Sequence, residues 1–485
     1  MSEKLPKGWA EVDLDKILIY SKGKKPKTLS QKKADGLVPY INIKAFEQGV
    51  IDEFADVKSS KLICKTDILV VWDGARFGLT GKGMEGAAGS TLMVLTPVLI
   101  DPEFLFHFIN RHYSYINSKP KGTGTPHVNP DIFWKLKFPI APLSEQKRII
   151  AKLDQIIPRI DLVKERLNKI PAIIKRFRQS VLTAAVAGKL TEQWRAKHSD
   201  FDSPVWIKSK YNKIIPHEEY RNEWNNIDIP EHWNCLHLKE IADLRLGKML
   251  DGIKNTGVET KYIRNVNVRW FQFELDDLKT IRLLQEEVIK LSIKNGDVFI
   301  CEGGEPGRAA VWQSGENKMT FQKALHRVRF HGNVEPYWLV YNLKLDADTD
   351  RLSRLFTGST IKHFTGRSLA DYPLLLPPLE EQEEIVRQVD KLFAIADKLE
   401  SHYQKAKARV DNLSQSILAK AFRGELVITE AELVEREGRD FESAEKLLDR
   451  ILEEKAKLSG NKKSTVIRRS VKDRKTQKES IRNAK

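Results

Sequence analysis

Lysines and arginines set among glycines are the residues of this sequence whose types and spacing suit a chemical task. Tyr20-Ser-Lys-Gly-Lys-Lys-Pro-Lys27 carries Lys22, Lys24, Lys25 and Lys27 after an expected strand. Leu244-Arg-Leu-Gly-Lys-Met-Leu-Asp-Gly-Ile-Lys254 carries Arg245, Lys248 and Lys254 in the corresponding place of the second half. Arg76 lies in Asp73-Gly-Ala-Arg-Phe-Gly78 with Lys82 just beyond, and Arg308 follows Gly307 in a matching loop with Lys323 downstream. Glycines let a backbone approach a phosphate closely, while Lys and Arg neutralise phosphates or read guanine edges. A third pair of loops adds short donors: Thr123, Thr125, His127 and Asn129, and then Ser359, Thr360, Lys362 and His363. Any one of these suits an ordinary solvated loop. Their recurrence in pairs points to nucleic acid.

Reacting groups for catalysis are missing. Gly81-Lys-Gly83-Met-Glu-Gly86 matches a dinucleotide-binding pattern, but it leads into Ser90-Thr-Leu-Met-Val-Leu-Thr96, which reads as a strand where that motif needs a helix. Gly78-Leu-Thr-Gly81-Lys82 has neither the spacing nor the Ser/Thr of a phosphate loop. Asp101-Pro-Glu-Phe104 and Asn129-Pro-Asp131 each lack the second proline of the loop used by amino-methyltransferases. The histidines show no metal-ligand spacing. Cys64, Cys235 and Cys301 form no CxxC pair, which fits a reducing cytoplasm. No cofactor or metal is expected on this chain.

The elements that must position the basic loops come in two copies. Residues 141–156, APLSEQKRIIAKLDQI, return at 377–392 as PPLEEQEEIVRQVDKL. The same offset of 236 sets Gly122–His127 on Gly358–His363 and Gly188-Lys-Leu190 on Gly424-Glu-Leu426. Upstream the match persists at shorter offsets, as in Leu5-Pro-Lys-Gly-Trp9 and Ile229-Pro-Glu-His-Trp233. The chain is therefore a tandem duplication with pseudo-twofold symmetry. Each copy has a variable section rich in β-branched runs and glycine turns, read as mixed α/β, and then a helical section.

In the first helical section Ile149, Leu153, Ile156, Ile160, Val163 and Leu167 keep 4,3 spacing; in the second Ile385, Val389, Leu392, Leu399, Tyr403 and Val410 fall on the same seam. That spacing predicts a coiled coil. Its simplest form is an antiparallel pairing of the two copies, although pairing with another subunit would give the same pattern. Pro142 and Pro378 suit the helix starts, and Gly188 and Gly424 the stops. Pro158 and Pro171 predict a kink or break in the first helix. The fold class is α+β, with two mixed α/β domains separated by two long helices. The expected boundaries are 1–142, first recognition domain; 143–195, first helical region; 196–228, linker; 229–378, second recognition domain; 379–426, second helical region; and 427–485, an acidic helix and a basic tail.

Length and charge agree with this division. The 485 residues exceed one ordinary core. Net charge is +16, and residues 459–485 hold ten Lys/Arg against two acidic residues, half the excess in a segment expected to be disordered. No apolar run long enough to span a membrane occurs, and the N-terminal MSEKLPKGWAEV lacks the apolar core of a signal peptide.

The order of motifs resembles the DNA-specificity subunit of type I restriction–modification systems. The residues that carry the resemblance are Leu5-Pro-Lys-Gly-Trp9, Pro142-Leu-Ser-Glu-Gln146, Arg176-Phe-Arg-Gln-Ser-Val-Leu182, Gly188-Lys-Leu-Thr-Glu-Gln-Trp194, Pro377-Pro-Leu-Glu-Glu-Gln382 and Gln415–Leu426. The resemblance implies two target-recognition domains, each reading half of a bipartite double-stranded DNA site. It implies helices that hold them apart and dock two modification (methyltransferase) subunits, with restriction (ATP-dependent translocase and nuclease) subunits joining. S-adenosylmethionine, ATP and magnesium then belong to those partners, and this subunit has no catalytic residue. The competing readings are a coiled-coil scaffold that binds no DNA and an autonomous methyltransferase or endonuclease.

Overall fold

The 4,3 apolar spacing is realised as two helices of 44 residues, Leu143–Val186 and Leu379–Phe422. In the computed structural model, which describes residues 5–122, 124–198, 214–251, 255–314, 319–332 and 334–458, both start directly after a proline. Both also end before a glycine in the left-handed conformation, Gly188 (φ 69°) and Gly424 (φ 72°). Thr123, Lys254 and the basic tail 459–485 lie outside the described residues. The first helix runs through Pro158 and Pro171 without the expected break. Both prolines are exposed, so the carbonyls they leave unpaired lie where water can serve them.

Two compact units share these helices: residues 1–167 with 405–485, and residues 168–404. In the first unit Lys164 faces Asp411 at 4.0 Å; in the second Arg178 bonds Asp397 and Glu400 at 2.6 and 3.0 Å. Partner numbers fall along one helix as they rise along the other, so the pairing is antiparallel. Ile149, Leu153, Ile385 and Val389 are fully buried and Ile160 and Tyr403 nearly so, whereas Ile156, Leu167, Leu392 and Val410 are partly covered. Val163 and Leu399 are 43% and 50% exposed. Among these residues burial is complete only toward the helix ends, where a domain adds its surface to that of the neighbouring helix.

Each unit is built on one plan. In the first, a four-stranded antiparallel sheet has the order Leu18–Lys22, Leu92–Pro97, Ile68–Val71, Thr80–Lys82. In the second, Ala242–Leu246, Leu325–Phe330, Val298–Cys301 and Ala309–Val311 repeat that order. The central strands ILVV and VFIC are buried at every position, which suits continuous apolar runs. A two-stranded ribbon closes each unit, Ala10–Asp13 with Lys137–Ile140 and Asn234–His237 with Pro373–Leu376.

The second sheets differ. Leu29–Ser30, Phe54–Asp56, Leu37–Ile41, Gly86–Ala88 and Leu62–Ile63 make five strands in the first unit. The other unit has three, Lys279–Leu283, Val258–Ile263 and Thr320–Phe321, with a separate hairpin of Val268–Arg269 and Gln272–Phe273.

The repeated Glu-Gln of each helix start locks its unit. Gln146 Nε2 donates to Ala141 O at 2.8 Å, and its Oε1 accepts from the backbone of Asp101, the N-cap of helix Pro102–Arg111. Gln382 does the same with Pro377 O and with Glu335, the N-cap of helix Pro336–Asp348. Glu145 accepts from the Trp9 indole at 3.0 Å, and Glu381 from the Trp233 indole at 2.9 Å. The glycine ending the opposite helix packs against the same tryptophan. A Cβ on Gly424 would lie 2.4 Å from Pro6 Cγ and 3.4 Å from Trp9, and one on Gly188 2.8 Å from Pro230 Cγ and 3.2 Å from Trp233.

Residues outside the repeat complete each core. Ala444, Leu447 and Ile451, on a helical stretch 444–458, are buried in the first unit. In the second unit Tyr220 and Trp224 are buried, on and just after helix His217–Glu223. The stretch expected as a linker, 196–228, thus supplies core residues in its described part.

Candidate nucleic-acid interface

The loop-bearing end of each unit starts from a glycine that no other residue could replace. Gly23 follows strand Leu18–Lys22, and a Cβ there would sit 2.0 Å from the Gly89 carbonyl oxygen; on Gly247 it would sit 2.2 Å from that of Gln322. This close approach fixes the next residue. Lys24 N donates to Ala88 O at 3.1 Å and Lys248 N to Phe321 O at 2.9 Å. Lys323 N in turn donates to Lys248 O at 2.8 Å, so those two lysines leave neighbouring backbone.

In the first unit Asp73 gathers two of the candidates. Lys22 Nζ lies 2.6 Å from one carboxylate oxygen and His127 Nδ1 2.8 Å from the other. Lys121 and His127 exchange backbone hydrogen bonds at 3.0 and 3.1 Å, which closes the loop, and Val128 N donates to Trp72 O. Thr125 is exposed on that loop. Asn129 accepts from Asp131 N as the N-cap of helix Pro130–Phe133. Arg76 is 60% exposed with Glu47 at 3.5 Å. Lys82 stands apart. It pairs with Ile68 at the opposite end of the central strand from Asp73, 2.7 Å from Glu103 and over the Phe106 ring.

The second unit repeats the closed loop with different side chains. Thr357 and His363 exchange backbone bonds at 2.9 Å each, and Phe364 N donates to Glu302 O at 2.8 Å. Ser359, Thr360, Lys362 and His363 are exposed. Gly303 stands where the first unit has Asp73, beside the His363 ring. Lys248 is paired with Glu287 and Arg245 reaches Lys290 O at 3.5 Å. Arg308 is a brace: its side chain is 12% exposed, with Glu305 at 2.7 Å and Asn265 O at 2.8 Å.

Charge availability therefore sorts the candidates. Among the described residues Lys24, Lys25, Lys27, Lys323 and Lys362 meet no acidic side chain, so a phosphate can engage them without displacing an internal partner. Lys22, Lys82, Lys248 and Arg308 must give one up. Sequence reasoning passed over Asp73, whose role needs two contacts far along the chain. It also passed over Tyr20, 46% exposed and stacked on Trp134 at 4.0 Å. An aromatic two positions before Lys22 was the available signal for the latter.

Among the described residues no group of three His, Cys, Asp or Glu is arranged to hold a metal ion. Burial pushes the Cys301 thiol up to about 11 and raises that of Cys235 as well, so neither is a thiolate at neutral pH. No described helix is long and apolar enough to cross a membrane.

The two units carry their basic loop sets on one repeated scaffold. The family model of the type I restriction modification DNA specificity domain matches the chain twice, at residues 6–172 and 230–407. The chain belongs to this family; it is the non-catalytic DNA-recognition subunit of a type I restriction–modification complex. It is 30% identical over 495 residues to the type I restriction enzyme EcoKI specificity subunit of Escherichia coli K12, covering 95% of this chain and 98% of that one. It is 31% identical over 491 residues to the StySPI specificity subunit of Salmonella potsdam, with the same coverage. A solved chain reported in work on complex assembly and conformational transition of the type I R-M system shares the fold. Its TM-score is 0.64 at 21% identity, over 87% of this chain and all of that one.

Proposed function

We propose that each unit reads one half of an asymmetric, bipartite double-stranded DNA site. The observation that carries this reading is the pairing of one sheet order with two unlike second sheets. A common frame presents two different surfaces, so the two half-sites differ in sequence. The exposed lysines around Gly23 and Gly247 and the loops at 121–129 and 357–363 face the DNA. The paired helices set the spacer: each of the 44-residue rods is about 66 Å long at 1.5 Å per residue, enough to serve half-sites a helical turn, about 34 Å, apart.

The duplication also offers two equivalent docks, one for each of two modification subunits that methylate adenine. Restriction subunits that translocate and cleave DNA join that assembly in the cytoplasm. S-adenosylmethionine, ATP and magnesium serve those partners.

Selection from a random duplex pool by the chain assembled with its modification subunits tests the reading. One gapped, asymmetric motif is expected to emerge, with binding that weakens steeply as salt rises. Recovery of no motif would instead support a scaffold that does not read DNA.

A further inference from the structure

If the units read different half-sites, as proposed above and as this inference requires, whatever they hold in common cannot tell one half from the other. Two features of the loop-bearing ends are common. Gly23-Lys24 and Gly247-Lys248 leave equivalent strands, with each lysine N–H bonded to a strand of the second sheet, at Ala88 O (3.1 Å) and Phe321 O (2.9 Å). The loops Gly122–His127 and Gly358–His363 open on glycines at φ 94° and 91° and close through the same reciprocal backbone bonds. The residue after each histidine, Val128 or Phe364, donates to the residue just beyond the central strand. The inserts between these features share far less, a five-stranded sheet in one unit and three strands with a hairpin in the other.

We infer that the loops 122–127 and 358–363, with Lys24 and Lys248, are sequence-independent clamps on DNA phosphates, and that bases are read by the unlike inserts 25–62 and 249–293. Phosphate is the charged DNA group that both half-sites present identically. The loop frame is shared but its exposed side chains are not, and in each unit those present suit phosphate: the Thr125 hydroxyl in the first, and the Ser359 and Thr360 hydroxyls, the Lys362 ammonium and the His363 ring in the second. Closure by paired backbone bonds holds the donors at a set spacing, as a repeating backbone requires; the Lys24 and Lys362 side chains meet no acidic group among the described residues, whereas Lys248 must exchange Glu287 for the phosphate.

The test uses the full chain assembled with its modification subunits, titrated against its selected duplex and a scrambled one between 50 and 200 mM salt. Lys24→Ala and Lys362→Ala should each weaken both duplexes by the same factor and reduce the salt slope by about 0.9. His363→Ala should also act equally on both, and Lys362→Arg should restore binding. Repeated selection should return the same motif from every variant. A relaxed base preference within one half-site would overturn the inference and make these residues base readers. Unchanged DNA affinity would overturn it too, and if accompanied by lost assembly in sedimentation would make the loop a protein dock. A wild-type complex that binds both duplexes equally would contradict the half-site reading itself.

Discussion

The Trp9 indole donates to Glu145 across 3.0 Å, and Trp233 donates to Glu381 across 2.9 Å in the other copy. Each bond ties the first residues of a recognition domain to the first turn of the helix that ends it, with the glycine of the opposite helix packed alongside. The repeated Glu is thus an internal lock, placed where a helix start also favours an acidic residue. The two locks are built unequally. Glu145 also accepts from Glu430 N at 2.8 Å, whereas Glu381 takes Thr191 and Arg195 at 2.7 Å and His232 at 2.8 Å.

Removing the second lock should cost more. Glu381→Ala leaves the buried Trp233 N–H unpaired and takes the carboxylate from Arg195, which keeps only Gly188 O and Thr191 Oγ1, and is expected to destabilise by about 3 kcal/mol. Glu145→Ala unpairs only the Trp9 and Glu430 N–H groups and should cost about 2 kcal/mol. Urea unfolding followed by tryptophan fluorescence measures both, and equal losses would contradict the difference.

The same pair should respond to pH in opposite directions. Burial pushes the Glu145 carboxyl above its usual range despite its hydrogen bonds. Its charged form is therefore a burden that appears as pH rises through the raised folded value, so Glu145→Gln should be less harmful at pH 7 than at pH 5. Burial also pushes Glu381 up, but bonds from His232, Arg195, Thr191 and Trp233 outweigh it and hold the carboxyl below its usual 4.5. That stability is present above 4.5 and lost as pH falls through the lowered folded value. The penalty of Glu381→Gln should shrink below pH 4.5. Stability curves of both variants from pH 3.5 to 7.5 supply the comparison.

Glycine substitutions should separate backbone strain from steric contact. Gly424→Ala meets Pro6 Cγ at 2.4 Å, whereas Gly438→Ala, also at positive φ (64°), meets nothing within 4 Å. The second should cost about 1 kcal/mol for the left-handed conformation alone, and the first clearly more. Thermal unfolding reads the gap, and equal shifts in Tm would mean that the Gly424 contact is relieved cheaply.

Seven residues inserted in register into both helices keep the 4,3 seam and lengthen each rod by about 10 Å. The spacer of the recognised site should grow by up to about three base pairs at 3.4 Å each. Selection from random duplexes detects this, and an unchanged spacer would remove the helices from any role in setting it.

The duplication and the long helices are legible because apolar spacing and motif order are local signals repeated at a fixed offset; the antiparallel pairing is not, since the same spacing would serve a seam with another subunit. The function of the Glu-Gln pair is not legible either, since Trp9 lies 136 residues from Glu145. Arg76 and Arg308 look equivalent in sequence. The strand register separates them: Gly78 N and Gly307 N bond back to Val71 and Cys301, so Arg308 falls where the first unit has Leu79. Lys82 reads as a loop cation but ends a short strand, far from Lys22, because only the register tells which end of a sheet a residue occupies. Val163 and Leu399 obey the heptad yet stay exposed, since spacing defines a face without saying how much covers it.

The most direct test of a two-half reader is to replace the second variable section, residues 229–378, with the first and map methylated adenines in cells carrying this chain or the natural one. The natural chain is expected to give one asymmetric gapped motif, and the replaced chain a motif with the first half-site at both ends. Loss of the first half-site, or an unchanged motif, would contradict the assignment of one half-site to each unit.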